Sequence, residues 1–174
     1  MNIVLIGMPG CGKSTVGVVL AKAEGMHFCD TDLVIQQRQE RKLQEIINTD
    51  GIEAFLRCEE EALLSICCED TVIATGGSAV YSDRAMRWLK KNAVTVYLRA
   101  EAREIAFRLA NLKDRGVAIG RGMSIYDLYR ERAPLYERYA DIVVDERGAS
   151  IPKTVEKLSA LLAPYRTAGR QMEC

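Results

Sequence analysis

Short apolar runs alternate with longer amphipathic stretches along this chain. Asn2–Ile6 is a continuous apolar run, the pattern of a strand buried on both faces, and it ends in a glycine-rich turn. Lys13–Glu24 then reads as a helix with Val16, Val19 and Leu20 on one side. A short apolar piece at 27–29 leads to Asp30-Thr31-Asp32 and a helical stretch to about Gln39. Residues 43–48 and 52–67 read as helices, the second with Phe55, Leu56, Ala62, Leu63 and Ile66 as its apolar positions. Thr71–Ala74 and 94–98 are further strands, and 83–90 and 101–109 are helices. Residues 111–123 hold three glycines and four charges with little periodicity, which predicts a mobile loop. Ser124 and Asp127 have the spacing of a capping box opening a helix to about Tyr139. The last strand falls at 142–144, and a final helix begins near Pro152 with Val155, Leu158, Leu161 and Leu162 as its stripe.

Strands alternating with helices imply an α/β fold of three layers, a parallel sheet with helices on both faces. No repeat, low-complexity tract or linker interrupts the chain, so residues 1–174 are expected to form a single domain. In such sheets ligands bind beyond the carboxyl ends of the strands. Gly7, Asp30, Gly76 and the loop after Leu98 all fall there, so the candidate chemistry converges on one rim.

Composition narrows the partners. Lys+Arg and Asp+Glu both number 24, a neutral balance that argues against nucleic acid. No apolar run is long enough to span a membrane, and the N-terminal residues lack the basic start and small-residue cleavage site of a signal peptide. A cytoplasmic monomer is expected, with its six cysteines as reduced thiols in the absence of a signal; no C-x-x-C pair occurs, so a zinc or thioredoxin-like site lacks its pattern.

Gly7-Met8-Pro9-Gly10-Cys11-Gly12-Lys13-Ser14 satisfies G-x-x-x-x-G-K-[ST], with a strand before it and a helix after. Backbone N–H groups of Gly10, Cys11, Gly12, Lys13, Ser14 and Thr15 are expected to cradle phosphates at a helix N-terminus. Lys13 would reach the β- and γ-phosphates of ATP, and the Ser14 hydroxyl would join a Mg²⁺ shell. Asp30 and Asp32 follow the second strand two places apart. One can serve the ion and the other an acceptor hydroxyl; the alternative is that one merely caps the next helix. Gly76-Gly77 after a strand either permits close ligand approach or makes an ordinary tight turn.

Taken together, GMPGCGKSTVG, DTD, TDG…F…E, a strand ending in GG, a lid and ERAPLYERYAD resemble the shikimate kinase family over nearly the whole chain. The resemblance implies the nucleoside-monophosphate-kinase-like P-loop fold, a five-stranded parallel sheet of order 2-3-1-4-5. It also implies a lid at about 111–123 and acceptor-binding helices within about 31–67. By the same resemblance Asp30 helps hold Mg²⁺ with Ser14, while Asp32 binds the acceptor and orients its hydroxyl. Gly76, Gly77 and Ser78 line the acceptor site and Arg132 grips the acceptor's carboxylate. Arg108 and Arg147 flank adenine, and Arg115 is the lid arginine that closes on the transferring phosphoryl group.

The chain departs from the family's usual pattern in three places. Leu56 stands where the family has a second carboxylate-binding arginine, and Arg57 lies about 100° further around the helix. Ser78 replaces the third glycine of a triplet, and Arg115-Gly116 replaces Arg-Pro in the lid. Losing an arginine–carboxylate contact is expected to weaken shikimate binding by about ten- to a hundredfold. The expected function is a kinase moving the ATP γ-phosphate to a hydroxyl of a small hydroxy acid, shikimate first. The alternatives are another acceptor, such as homoserine or a sugar acid, and a non-catalytic nucleotide switch. Asp145-Glu146-Arg147-Gly148 fits the D-x-x-G of a switch, but it comes late and no N-K-x-D exists.

Overall fold

The computed structural model describes residues 1–110, 118 and 122–166. Among them, five parallel strands form one sheet: β1 (Asn2–Ile6), β2 (His27–Asp30), β3 (Thr71–Ala74), β4 (Ala93–Arg99) and β5 (Ile142–Asp145). Their order is β2-β3-β1-β4-β5, with Val4 beside Ile73 on one side and Thr95 on the other. Burial follows from that order. Ile3, Val4, Leu5 and Ile6 of the central strand are fully buried, as a strand covered on both faces requires. The edge strands β2 and β5 keep exposed positions, at His27 and Val143.

Among the described residues, eight helices connect and cover the sheet: α1 (Lys13–Glu24), α2 (Thr31–Gln39), α3 (Leu43–Asp50), α4 (Ile52–Leu64), α5 (Asp83–Asn92), α6 (Ala102–Ala110), α7 (Ile125–Tyr139) and α8 (Ile151–Arg166). α1 packs on α8, while α4 packs on α5 and α5 on α7. A main core surrounds the sheet, and a smaller cluster of Ile35, Leu43, Ile46, Phe55 and Ala62 joins α2, α3 and α4. Ala118 also belongs to this small cluster, so it reaches the helices expected to bind the acceptor.

The capping box at Ser124 and Asp127 is formed, with both reciprocal hydrogen bonds. α4 stops at Leu64, short of the expected 67. The Ser65 hydroxyl caps the Ala62 carbonyl, and Asn2 Nδ2 donates to Cys68 O, drawing the chain toward β3. Cys11, Cys29, Cys58 and Cys68 are free thiols, but Cys67 is disulfide-bonded, against the expectation for all six. Among the described residues no helix is long and apolar enough to cross a membrane.

Candidate active site

The adjacency of β2, β3 and β1 brings three loops to one edge of the sheet. After β1 comes the phosphate loop, in which Gly10 and Gly12 take φ of 79° and 98°, a region that favours glycine. Lys13 is buried, and its Nζ donates to the carbonyls of Gly7 at 2.8 Å and Met8 at 2.9 Å. The ammonium is thus held at the loop by weak neutral acceptors, which a phosphate oxygen would replace with a stronger partner. Cys11 is fully buried and does not line the cavity, and burial raises its thiol pKa.

Asp30 caps the following helix and also meets Ser14. Its Oδ1 accepts from the backbone N–H of Asp32, capping α2, while its Oδ2 accepts from the Ser14 hydroxyl at 2.6 Å. Asp32 sits in the first turn of α2, and both carboxylates border the same space. The Ser14–Asp30 oxygen pair suits Mg²⁺, which takes few protein oxygens and keeps several waters.

After β3, Gly77 lies in a turn, but neither Gly76 nor Gly77 has a positive φ, so backbone conformation alone does not call for glycine there. Close approach does. A β-carbon on Gly76 would lie 2.1 Å from Glu59 Oε1 and 3.0 Å from Asp32 Oδ1, and one on Gly77 would lie 2.7 Å from Pro9. The Gly76 N–H is tied to the Thr31 hydroxyl, and Tyr136 donates to the Gly77 carbonyl at 2.6 Å. Ser78 is buried and lines a smaller cavity together with Glu59.

The three loops border an open cavity of about 860 Å³. Gly10, Gly12, Lys13, Ser14 and Thr15 line one side; Asp30 and Asp32, Gly76 through Ser78, and Arg132 complete it. Arg132, on α7, is the largest fully buried side chain among the described residues. Arg108 and Arg147 lie outside the cavity. Arg108 donates to Gly10 O at 3.1 Å and pairs with Glu104, whereas Arg147 is exposed and pairs with Asp145 at 2.8 Å. Arg115 lies outside the described residues, as does most of the expected lid. Arg57 is exposed, and Leu56 packs on the small apolar cluster.

Two carboxylates were not singled out by the sequence. Glu59 is 1% exposed, and its Oε1 has no hydrogen-bond partner among the described residues. Burial pushes its pKa from 4.5 to about 7; Ser78 opposes the shift, Asp32 adds to it, and Arg132 and Lys13 oppose it. Its signal was helical register: Phe55, Glu59, Ala62 and Leu63 share one face of α4, the buried one. Glu146 follows β5 with its Oε2 4.0 Å from where a Gly12 β-carbon would stand. Burial raises it to about 7 as well, against the charge of Arg108.

A phosphate loop and a serine–aspartate pair fit for Mg²⁺, sharing one cavity with a buried arginine, define an ATP-dependent P-loop phosphotransferase. Comparison with known proteins makes the class specific. The family model for shikimate kinase matches residues 9–163. The shikimate kinase of Mycobacterium avium (strain 104) is 42% identical over 164 residues, covering 90% of this chain and 93% of the relative. Shikimate kinase 2 of Yersinia enterocolitica is 35% identical, covering 93% of this chain and 95% of the relative. A structure of the Acinetobacter baumannii shikimate kinase in complex with shikimate superimposes with a TM-score of 0.85 at 28% identity, covering 94% and 93% of the two chains. The chain belongs to the shikimate kinase family.

Proposed function

We propose that this chain is a cytoplasmic, monomeric kinase that transfers the γ-phosphoryl group of ATP to a hydroxyl of shikimate, a step of aromatic amino acid biosynthesis. The observation that carries this reading is the kinship along nearly the whole chain, joined to a cavity shared by the phosphate loop, the aspartates and a buried arginine. Nothing in the site or the comparisons favours a hydroxy amino acid, a sugar acid or a non-catalytic switch.

In the proposed reaction the acceptor oxygen attacks the γ-phosphorus, the bond to the β-phosphate oxygen breaks, and ADP leaves. Asp32 orients the hydroxyl and takes its proton. Lys13 turns from the Gly7 and Met8 carbonyls to the β- and γ-phosphates, and the N–H groups of the loop cradle them. Ser14 and Asp30 would hold Mg²⁺, which would neutralise charge on the phosphate oxygens. Arg132 binds the carboxylate of the acceptor beside Gly76, Gly77 and Ser78, which line its site. Arg108 and Arg147 flank adenine at the outer rim. Arg115 closes from the lid at 111–123 onto the transferring group, and closure excludes water that would otherwise take the phosphoryl group.

Mass analysis of a reaction with Mg-ATP and a mixture of shikimate, homoserine and gluconate tests the assignment. Shikimate alone should gain one phosphoryl group; phosphorylation of another acceptor in its place would overturn the reading.

A further inference from the structure

Arg132 is buried, yet among the described residues it is not held by a carboxylate hydrogen bond. Its Nε donates to the Tyr81 hydroxyl at 3.0 Å, and its Nη2 donates to the Ala118 carbonyl at 2.6 Å. The guanidinium carbon also lies 4.8 Å from the centroid of the Tyr81 ring. One side chain therefore fixes the arginine both by a hydrogen bond and by its aromatic face.

Tyr81 ends a single 3₁₀ turn, Ala79–Tyr81, which begins immediately after Gly76-Gly77-Ser78. The Tyr81 N–H closes that turn on the Ser78 carbonyl at 2.9 Å. A single short segment thus supplies the wall of the acceptor cavity and the support for its arginine. Tyr81 does not border the main cavity. With Leu56, Glu59 and Ser78 it lines a smaller one of about 170 Å³ beside it. Glu59 interacts electrostatically with Arg132 without a hydrogen bond to it. An arginine held on its Nε edge by a neutral hydroxyl keeps N–H groups for a ligand.

We propose that Tyr81 is a specificity-determining positioning residue, whose hydroxyl and ring hold Arg132 aimed at the carboxylate of the acceptor. The proposal rests on the reading of Arg132 as the carboxylate anchor. Tyr81 acts through Arg132 and touches neither substrate, so its loss is felt in acceptor binding and only where the acceptor is charged.

The test is steady-state kinetics of Tyr81→Phe, Tyr81→Leu and Arg132→Lys with shikimate and with its carboxamide as acceptors. Tyr81→Phe, which removes one oxygen, should raise the KM for shikimate on the order of fivefold. Tyr81→Leu, which also removes the ring, should raise it on the order of thirtyfold. The KM for ATP and the KM for the carboxamide should stay within about twofold, because neither ligand presents the acceptor carboxylate. A Tyr81→Phe KM within about twofold of the unmodified protein, or equal increases for shikimate and carboxamide, would overturn the proposal. If Arg132→Lys leaves the shikimate KM unchanged, the anchor reading itself fails. If Arg132→Lys raises it selectively and the Tyr81 variants do not, the role of Tyr81 alone fails. Should Tyr81→Leu not fold, Tyr81→Phe decides.

Discussion

Glu59→Gln should stabilise the protein in mildly alkaline solution and leave it nearly unchanged in acid. Glu59 is almost wholly buried with one carboxylate oxygen unpaired among the described residues, and burial raises its pKa from 4.5 to about 7. An acid whose pKa is raised by folding binds its proton more tightly in the folded chain. The ionised form is then penalised in the fold, and this penalty grows as pH rises from about 4.5 and is complete above about 7. At 1.36 kcal/mol for each pH unit, the full penalty is about 3 kcal/mol. Glutamine fills nearly the same volume, keeps a hydrogen-bonding group toward Ser78 and does not titrate. Glu146 is raised similarly but is present in both proteins, so it cancels in the difference. Urea unfolding of both proteins at intervals from pH 5 to pH 9 measures the effect. The stability difference in favour of the glutamine variant should climb with pH and level off near 3 kcal/mol above about pH 8. A difference that is flat across this range would refute the reasoning, as would one that falls with rising pH.

Three further outcomes follow from the site. Gly76→Ala places a methyl group 2.1 Å from Glu59 Oε1, so it should cost about 1–3 kcal/mol in urea unfolding and raise the KM for shikimate; wild-type values for both would contradict the packing account. Leu56→Arg extends a cation beside the smaller cavity, near Glu59 and Ser78, and should lower the KM for shikimate about tenfold, whereas an unchanged KM would show that position 56 does not reach the acceptor. Lys13→Ala should abolish phosphoryl transfer while leaving the circular dichroism spectrum and cooperative unfolding intact, and retained turnover would sink the assignment of the phosphate loop.

How far the sequence carried these conclusions depended on how local each feature is. The phosphate loop is contiguous, and its strand, glycines and helix are all set by neighbours, so Gly7 to Ser14 could be read directly. The ends of most helices were equally legible, because caps such as Ser124 act within one turn. The cavity wall after β3 was less so. Gly76 and Gly77 look like a turn, and only the fold reveals Glu59, Asp32 and Pro9 against them. Asp30 offered a choice between cap and ligand; one oxygen does cap α2, which leaves the other free to meet Ser14. Glu59 lies in an acidic run, Glu59-Glu60-Glu61, that suggests a solvated face until its register with Phe55 and Leu63 is counted. Tyr81 carried no local signal, since its partner Arg132 is 51 residues away.

The central claim, that this chain phosphorylates shikimate, is tested most directly by the initial rate of ADP release from Mg-ATP with and without millimolar shikimate. The account predicts strong stimulation by shikimate and none by homoserine or gluconate. No stimulation by shikimate, in a protein shown to bind ATP, would contradict it.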